Sequence, residues 1–194
     1  MSAAGDVSGF KKGRVPGEVG LWILIFGDLI VFGLFFGTFA YYYLQQPDLF
    51  RAAQGELNQI LGLLNTLLLL TSSYLVVKGL NAARRGEGVP AQRWTLAAIV
   101  FGLGFVAVKA VEYSEKIQAG IYPVTNDFFM LYFGFTGIHL GHVIVGLGAL
   151  AFLRARLPNM AESQNFAIAE GCTIFWHLVD VLWVVLFAIF YLHR

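Results

Sequence analysis

The residues of this chain able to do chemistry fall into four small groups, three of them inside long apolar runs. His177 and Asp180 are three apart, so on a helix they share one face. Such a pair either satisfies itself through an internal hydrogen bond or takes part in moving protons. His139 and His142 repeat that spacing. Their imidazoles could serve a metal or haem, another helix, or a lipid phosphate. Metal sites in helical bundles recruit ligands from several helices, for instance paired Glu-x-x-His motifs, and no such motif occurs here. Asp28 stands alone in Trp22-Ile23-Leu24-Ile25-Phe26-Gly27-Asp28-Leu29-Ile30-Val31-Phe32, with no positive charge within a helical turn. It is either a desolvated carboxyl bonded to a neighbouring helix, or one that exchanges protons or binds a partner subunit. The fourth group is Lys109, Glu112, Glu115 and Lys116. Its i, i+3 and i, i+4 pairs predict an interfacial ion-pair cluster that closes a helix end.

The elements that must position these groups follow from composition. Of 194 residues, 58% are hydrophobic and 13% charged, with a formal charge of +1, whereas soluble domains carry about 25% charged residues. Mean hydropathy is +0.69. This excludes a nucleic-acid binder, a disordered chain and a solubly exported factor. The single cysteine, Cys172, excludes a disulfide framework and any four-cysteine metal site. No P-loop, dinucleotide fingerprint, Ser-His-Asp set or Cys-x-x-Cys-His haem-attachment motif is present.

A helix needs roughly 20 apolar residues to cross a bilayer core. Runs at about 21–44, 57–80, 94–113, 128–153 and 171–192 qualify. Long runs without alternation predict helices rather than a barrel. The expected fold is therefore an all-α membrane protein: a polar N-terminal tail over 1–20, then a single five-helix domain over 21–192. The tail and first run read as a retained anchor, since the run is long for a signal peptide and lacks a small-residue cleavage site. Thr125, Asn126 or Asp127 can cap the fourth helix. Glycines 134, 137, 141, 146 and 148 suit close helix approach. Lys11, Lys12, Arg14, Lys78, Arg84, Arg85, Arg93, Arg154 and Arg156 fall on one side of the bundle, against Arg51, Lys116, Arg194 and nearby Lys109 on the other. That bias predicts a cytoplasmic N-terminus and an outward-facing C-terminus. Counted at 1.5 Å per residue from the cytoplasmic side, Asp28 would lie about 10 Å deep, with His177 at about 9 Å, Asp180 at about 14 Å, His142 at about 16 Å and His139 at about 21 Å.

Several stretches, in order along the chain, resemble subunit III of the haem-copper (cytochrome c) oxidases in its short five-helix bacterial form. They are Leu63-Leu64-Asn65-Thr66-Leu67-Leu68-Leu69-Leu70-Thr71-Ser72-Ser73, Glu112-Tyr113, Phe128-Phe129, Gly137-Ile138-His139-Leu140-Gly141-His142-Val143-Ile144-Val145-Gly146, and Phe175-Trp176-His177-Leu178-Val179-Asp180-Val181-Leu182-Trp183. With Gly27-Asp28 the resemblance covers about residues 16–192. Asn65, Glu112, His139, His142 and Trp176 fall on polar or aromatic positions of the family pattern. Asp28 falls where the family has a buried glutamate, so the shorter carboxylate is a departure. The wording of 67–73 and of Glu115-Lys116-Ile117-Gln118-Ala119-Gly120-Ile121 is closer still to the nitric-oxide-reductase-associated homologue NorE.

The resemblance implies a subunit with no catalytic centre and no bound cofactor of its own. Haem, with copper or iron, would belong to a catalytic membrane partner of an oxidase or nitric oxide reductase. The chain would hold phospholipid and would support assembly, proton uptake and the durability of turnover, in the bacterial cytoplasmic (inner) membrane, without nucleic acid. Asp28, His177 and Asp180 would form the buried polar network behind proton uptake. Two other readings of the residues stay open: a small proton-coupled transporter using those three groups, and a membrane haem or metal protein using His139 and His142.

Overall fold

Lipid offers the backbone no hydrogen bonds, so an apolar run this long satisfies its own peptide groups as helix. In the computed structural model, which describes residues 19–163 and 166–192, six α-helices do so and no strand forms among the described residues. They are α1 (Val19–Gln45), α2 (Pro47–Gly55), α3 (Gln59–Arg84), α4 (Gly88–Gln118), α5 (Asp127–Ser163) and α6 (Ala167–Phe187), followed by a π-helical turn, Ala188–Leu192. Five are long and apolar enough to cross a membrane: Trp22–Gln45, Gln59–Arg84, Gly88–Gln118, Asp127–Leu157 and Ala167–Leu192. Most of the 1–20 tail, with Lys11, Lys12 and Arg14, lies outside the described residues, as does Arg194.

The short helix α2 is an addition to the five expected elements. Helix α1 ends at Gln45, and Pro47 at the start of α2 and Asp48 in its first turn then begin a new helix. The Asn58 side chain caps α3 by accepting from the amides of Ile60 and Leu61 at 3.0 and 3.4 Å. Of the three candidate caps before α5, Asn126 accepts the Phe129 amide at 2.9 Å. Asp127 instead accepts from Gln46 at 2.9 Å, tying the end of α1 to the start of α5. Helices α4 and α5 overrun the expected spans, and α6 begins at Ala167 rather than 171. At 31 residues α4 is about 46 Å long, well beyond a hydrocarbon core about 30 Å thick.

Helices α3, α4, α5 and α6 pack in a ring, each against the next and α6 back onto α3. Across its centre the fully buried rings of Phe105 and Trp183 meet edge to face, with centroids 4.8 Å apart. Helix α1 lies outside the ring against α5 and α6. Only 17% of its apolar stretch is buried, against 50% for α6, so most of α1 is exposed on the outside of the bundle. Of the five α5 glycines, Gly146 alone sits in a close approach: an added Cβ would come within 2.7 Å of the Trp176 ring, while 134, 137, 141 and 148 face open space. Gly102 of α4 abuts the other edge of the same indole.

Candidate functional site

Among the described residues, most of the ionisable side chains inside the bundle fall in three clusters. The first is the most enclosed. Lys109 and Glu112, one helical turn apart on α4, are both fully buried and form an ion pair at 2.9 Å. The Lys109 ammonium also donates to the hydroxyls of Tyr132 and Tyr191, each at 3.0 Å. The Tyr191 hydroxyl in turn donates to Glu112 Oε1 at 2.5 Å. Rings of Tyr132, Trp183, Tyr113 and Tyr191 surround the ammonium with centroids at 4.8, 5.0, 5.4 and 5.6 Å. Every ammonium proton and both carboxylate oxygens thus have a partner, which is what keeps a charge pair tolerable in this setting.

The π turn that follows α6 carries Tyr191, and carbonyls in the last turn of a helix have no intrahelical partner. Gln54 of α2 and Gln59 of α3 bond two of them, on Ile189 at 3.0 Å and Tyr191 at 2.6 Å. Tyr191 is thereby fixed with its hydroxyl among the charged groups.

This cluster corrects the expectation of an interfacial ion pair at the end of the third span. Lys109 and Glu112 lie in the core, and the Glu112–Lys116 pair does not form. The Lys116 ammonium donates instead to the Glu56 carbonyl, linking α4 to the connection before α3. Glu115 is exposed. The spacing of Lys109 and Glu112 was a usable signal; the tyrosines that enclose them come from distant parts of the chain.

The second cluster joins α1 to α5. Asp28 Oδ1 lies 3.3 Å from His142 Nε2, and both residues are half-buried. His142 Nδ1 contacts the Ile138 carbonyl one turn back on α5 at 2.9 Å, and the edge of Phe32 supports the ring. The pair opens onto a cleft of about 390 Å³ lined by Leu24, Ile138, Gly141, Val145 and Phe175. Asp28 Oδ2 is buried without a protein partner.

The third cluster lies between α3 and α6. His177 Nδ1 is 2.5 Å from the Ser73 hydroxyl, and that hydroxyl also faces the Asp180 carboxyl. His177 therefore bonds Ser73 rather than Asp180, whose Oδ1 has no partner. No hydrogen bond or ion pair joins Asp28 to His177 or Asp180, so the three expected members of one network are divided between two clusters.

The remaining predicted residues are placed as follows. His139 is fully buried between Phe105 and Trp183, with neither ring nitrogen bonded within the protein. It points inward while His142 points to α1, so the two imidazoles serve different surroundings. Asn65 is fully buried with both amide atoms unpaired, and the Trp176 indole nitrogen is likewise unpaired. Trp183 donates to Thr66 at 3.1 Å. Among the described residues no three His, Cys, Asp or Glu side chains are grouped so as to hold a metal ion.

A bundle of five helices long and apolar enough to cross a membrane is the class of fold these elements define, and comparison with known proteins gives its family. The family model for cytochrome c oxidase subunit III matches residues 17–194. A probable cytochrome c oxidase subunit 3 from Nocardia farcinica is 30% identical over 182 residues, covering 91% of this chain and 88% of the relative. The quinol oxidase subunit 3 of Bacillus subtilis is 28% identical over 179 residues, covering 90% and 85%. A cytochrome c oxidase subunit 3 from Synechocystis is 32% identical over 140 residues, 71% of this chain and 58% of that one. The chain belongs to the cytochrome c oxidase subunit III family.

Proposed function

We propose that this chain is the non-catalytic subunit III of a haem-copper oxidase, seated in a bacterial cytoplasmic membrane beside a catalytic subunit that carries the haem and copper. The observation that carries this reading is the family match over residues 17–194. The geometry agrees with a supporting part. A proton-coupled transporter needs one continuous polar route, whereas the described groups form separate clusters and the Lys109–Glu112 pair is sealed. A haem or metal site on His139 and His142 needs convergent imidazoles, whereas these two diverge. The cleft beside Asp28 and His142, apolar except for that pair, suits a phospholipid. A nitric oxide reductase partner is the second reading, favoured by the NorE-like wording of 67–73 and 115–121.

We further propose a cytoplasmic N-terminus. Lys78, Arg84, Arg85, Arg93, Arg154 and Arg156 lie on the N-terminal side, and with Lys109 removed to the core the opposite side keeps only Arg51 and Lys116 among the described residues. A reporter fused after Arg194 should be active only outside the cytoplasm. Activity inside would reverse the assignment.

The Asp28 carboxyl tests whether this subunit supports turnover or performs it. Asp28→Asn keeps the size and one hydrogen-bond acceptor for His142 while removing the ionisable proton. Loss of an essential acid or base costs about 10²–10⁴-fold. A supporting carboxyl should cost less, so the assembled complex is expected to keep initial turnover within about tenfold of the parent. Full assembly with complete loss of initial turnover would contradict the supporting role.

A further inference from the structure

The Lys109–Glu112 cluster has no use in the function proposed above, yet it is built with unusual completeness. Lys109, Glu112 and Tyr132 are fully buried and Tyr191 is 1% exposed, so the cluster cannot trade protons with water. Replacing a buried ion pair by apolar groups is often neutral for stability, so stability alone gives little reason for it. What a sealed cluster of this composition can exchange is an electron. The rings of Tyr113, Tyr132 and Tyr191 form a chain with centroids 6.2 and 6.5 Å apart, distances short for electron tunnelling through protein. Tyr113 is only partly buried and stands at the bundle's edge.

We propose that Tyr191, with Glu112 as its proton acceptor, is a one-electron oxidation site fed from the membrane-facing edge through Tyr132 and Tyr113, its oxidant a peroxyl radical of the kind formed in oxidised lipid. One electron leaves the Tyr191 phenol by way of the two rings and reduces the peroxyl radical, which takes a proton from water at the membrane boundary and becomes a hydroperoxide, leaving a hydroxide ion there that balances the positive charge gained by the cluster. The phenol O–H bond breaks, and its proton crosses the existing hydrogen bond to Glu112 Oε1. The products are a neutral phenoxyl radical and a neutral Glu112 carboxylic acid, with the Lys109 ammonium unchanged and still donating to the phenoxyl oxygen.

The hole settles on Tyr191 because its neighbours lack a base. Tyr113 donates to the Thr136 hydroxyl, which itself donates to the Tyr132 carbonyl. Trp183 donates to the Thr66 hydroxyl. Tyr132 accepts from Lys109, and its hydroxyl meets the Tyr191 hydroxyl at 3.4 Å rather than a carboxylate. Of these four side chains, Tyr191 alone points its proton at a carboxylate.

The test uses the full chain, purified with whatever subunits accompany it, in lipid nanodiscs treated with a lipid-soluble azo initiator of peroxyl radicals and freeze-quenched for electron paramagnetic resonance. A neutral tyrosyl signal is expected. Most of its long-lived component should be lost in Tyr191→Phe, and its lifetime should fall in Glu112→Gln, which keeps the phenol but removes the base. Fluorotyrosine placed at position 191 keeps the hydroxyl and the fold, and should add fluorine hyperfine splitting to that component. Absence of a tyrosyl signal, an unchanged signal in Tyr191→Phe, or a spectrum unaltered by the fluorine label would each overturn the proposal.

Discussion

Replacing Lys109 by methionine is expected to destabilise the folded subunit by about 3–5 kcal/mol, the usual cost of removing one member of a buried, hydrogen-bonded ion pair. The reason is what remains. Glu112 would keep Tyr191 as a donor but lose the ammonium, and Tyr132 and Tyr191 would each lose a hydrogen bond. Removing both charges together, as Lys109→Met with Glu112→Leu, takes away the uncompensated group as well as the pair. That double variant should recover most of the loss, because an apolar replacement of matched volume is often neutral. Thermal melts of the purified protein in one detergent check both. A single variant as stable as the parent would mean that the pair is solvated rather than sealed.

The second large effect is expected at Trp176. Its indole is fully buried, and it is flanked by two glycines, Gly146 on the adjacent α5 and Gly102 on α4 across the ring, at which a Cβ would meet the indole at 2.7 Å and 3.0 Å. In a membrane the transfer of apolar surface out of water contributes little between helices, so the cost of truncation is the cavity and the lost van der Waals contacts. Trp176→Ala should therefore fall near the lower end of the range of about 3–5 kcal/mol for large aromatic truncations. Gly146→Ala tests the same packing from the other side, and overpacking should cost about 1–3 kcal/mol. Gly141→Ala, which meets open space, should be silent in the same melts.

Sequence alone specified the five spans because each is a long apolar run, and length and hydropathy are one-dimensional properties. It missed α2, nine residues of mixed polarity opened by a proline, because no apolar run marks it. It found the residues of the polar interior but misjudged their company. Lys109 reads as interfacial because it stands near the end of its run, and its burial depends on Tyr132 and Tyr191, 23 and 82 positions away. Asp28 reads as solitary because its partner His142 is 114 positions distant. His177 reads as the partner of Asp180 by helical spacing, while Ser73, 104 positions away, takes the bond. For Lys109 and His177 the spacing along one helix was legible, and the choice between a neighbour on that helix and one across the bundle was decided by the packing of α3 to α6; for Asp28 the partner was decided by where α1 lies against α5. The π turn was equally hidden, and so were the bonds that Gln54 and Gln59, on other helices, make to its Ile189 and Tyr191 carbonyls.

The central claim is that this chain works as part of a haem-bearing complex. It is tested most directly by tagging the chain in its own host, solubilising the membrane in mild detergent, and measuring the haem spectrum and metal content of what is recovered. The account predicts stoichiometric recovery with a haem-bearing catalytic subunit containing copper; an iron-only centre would move the partner to a nitric oxide reductase. Recovery of the folded chain alone, without haem, under conditions in which other membrane complexes of the host stay intact, would contradict it.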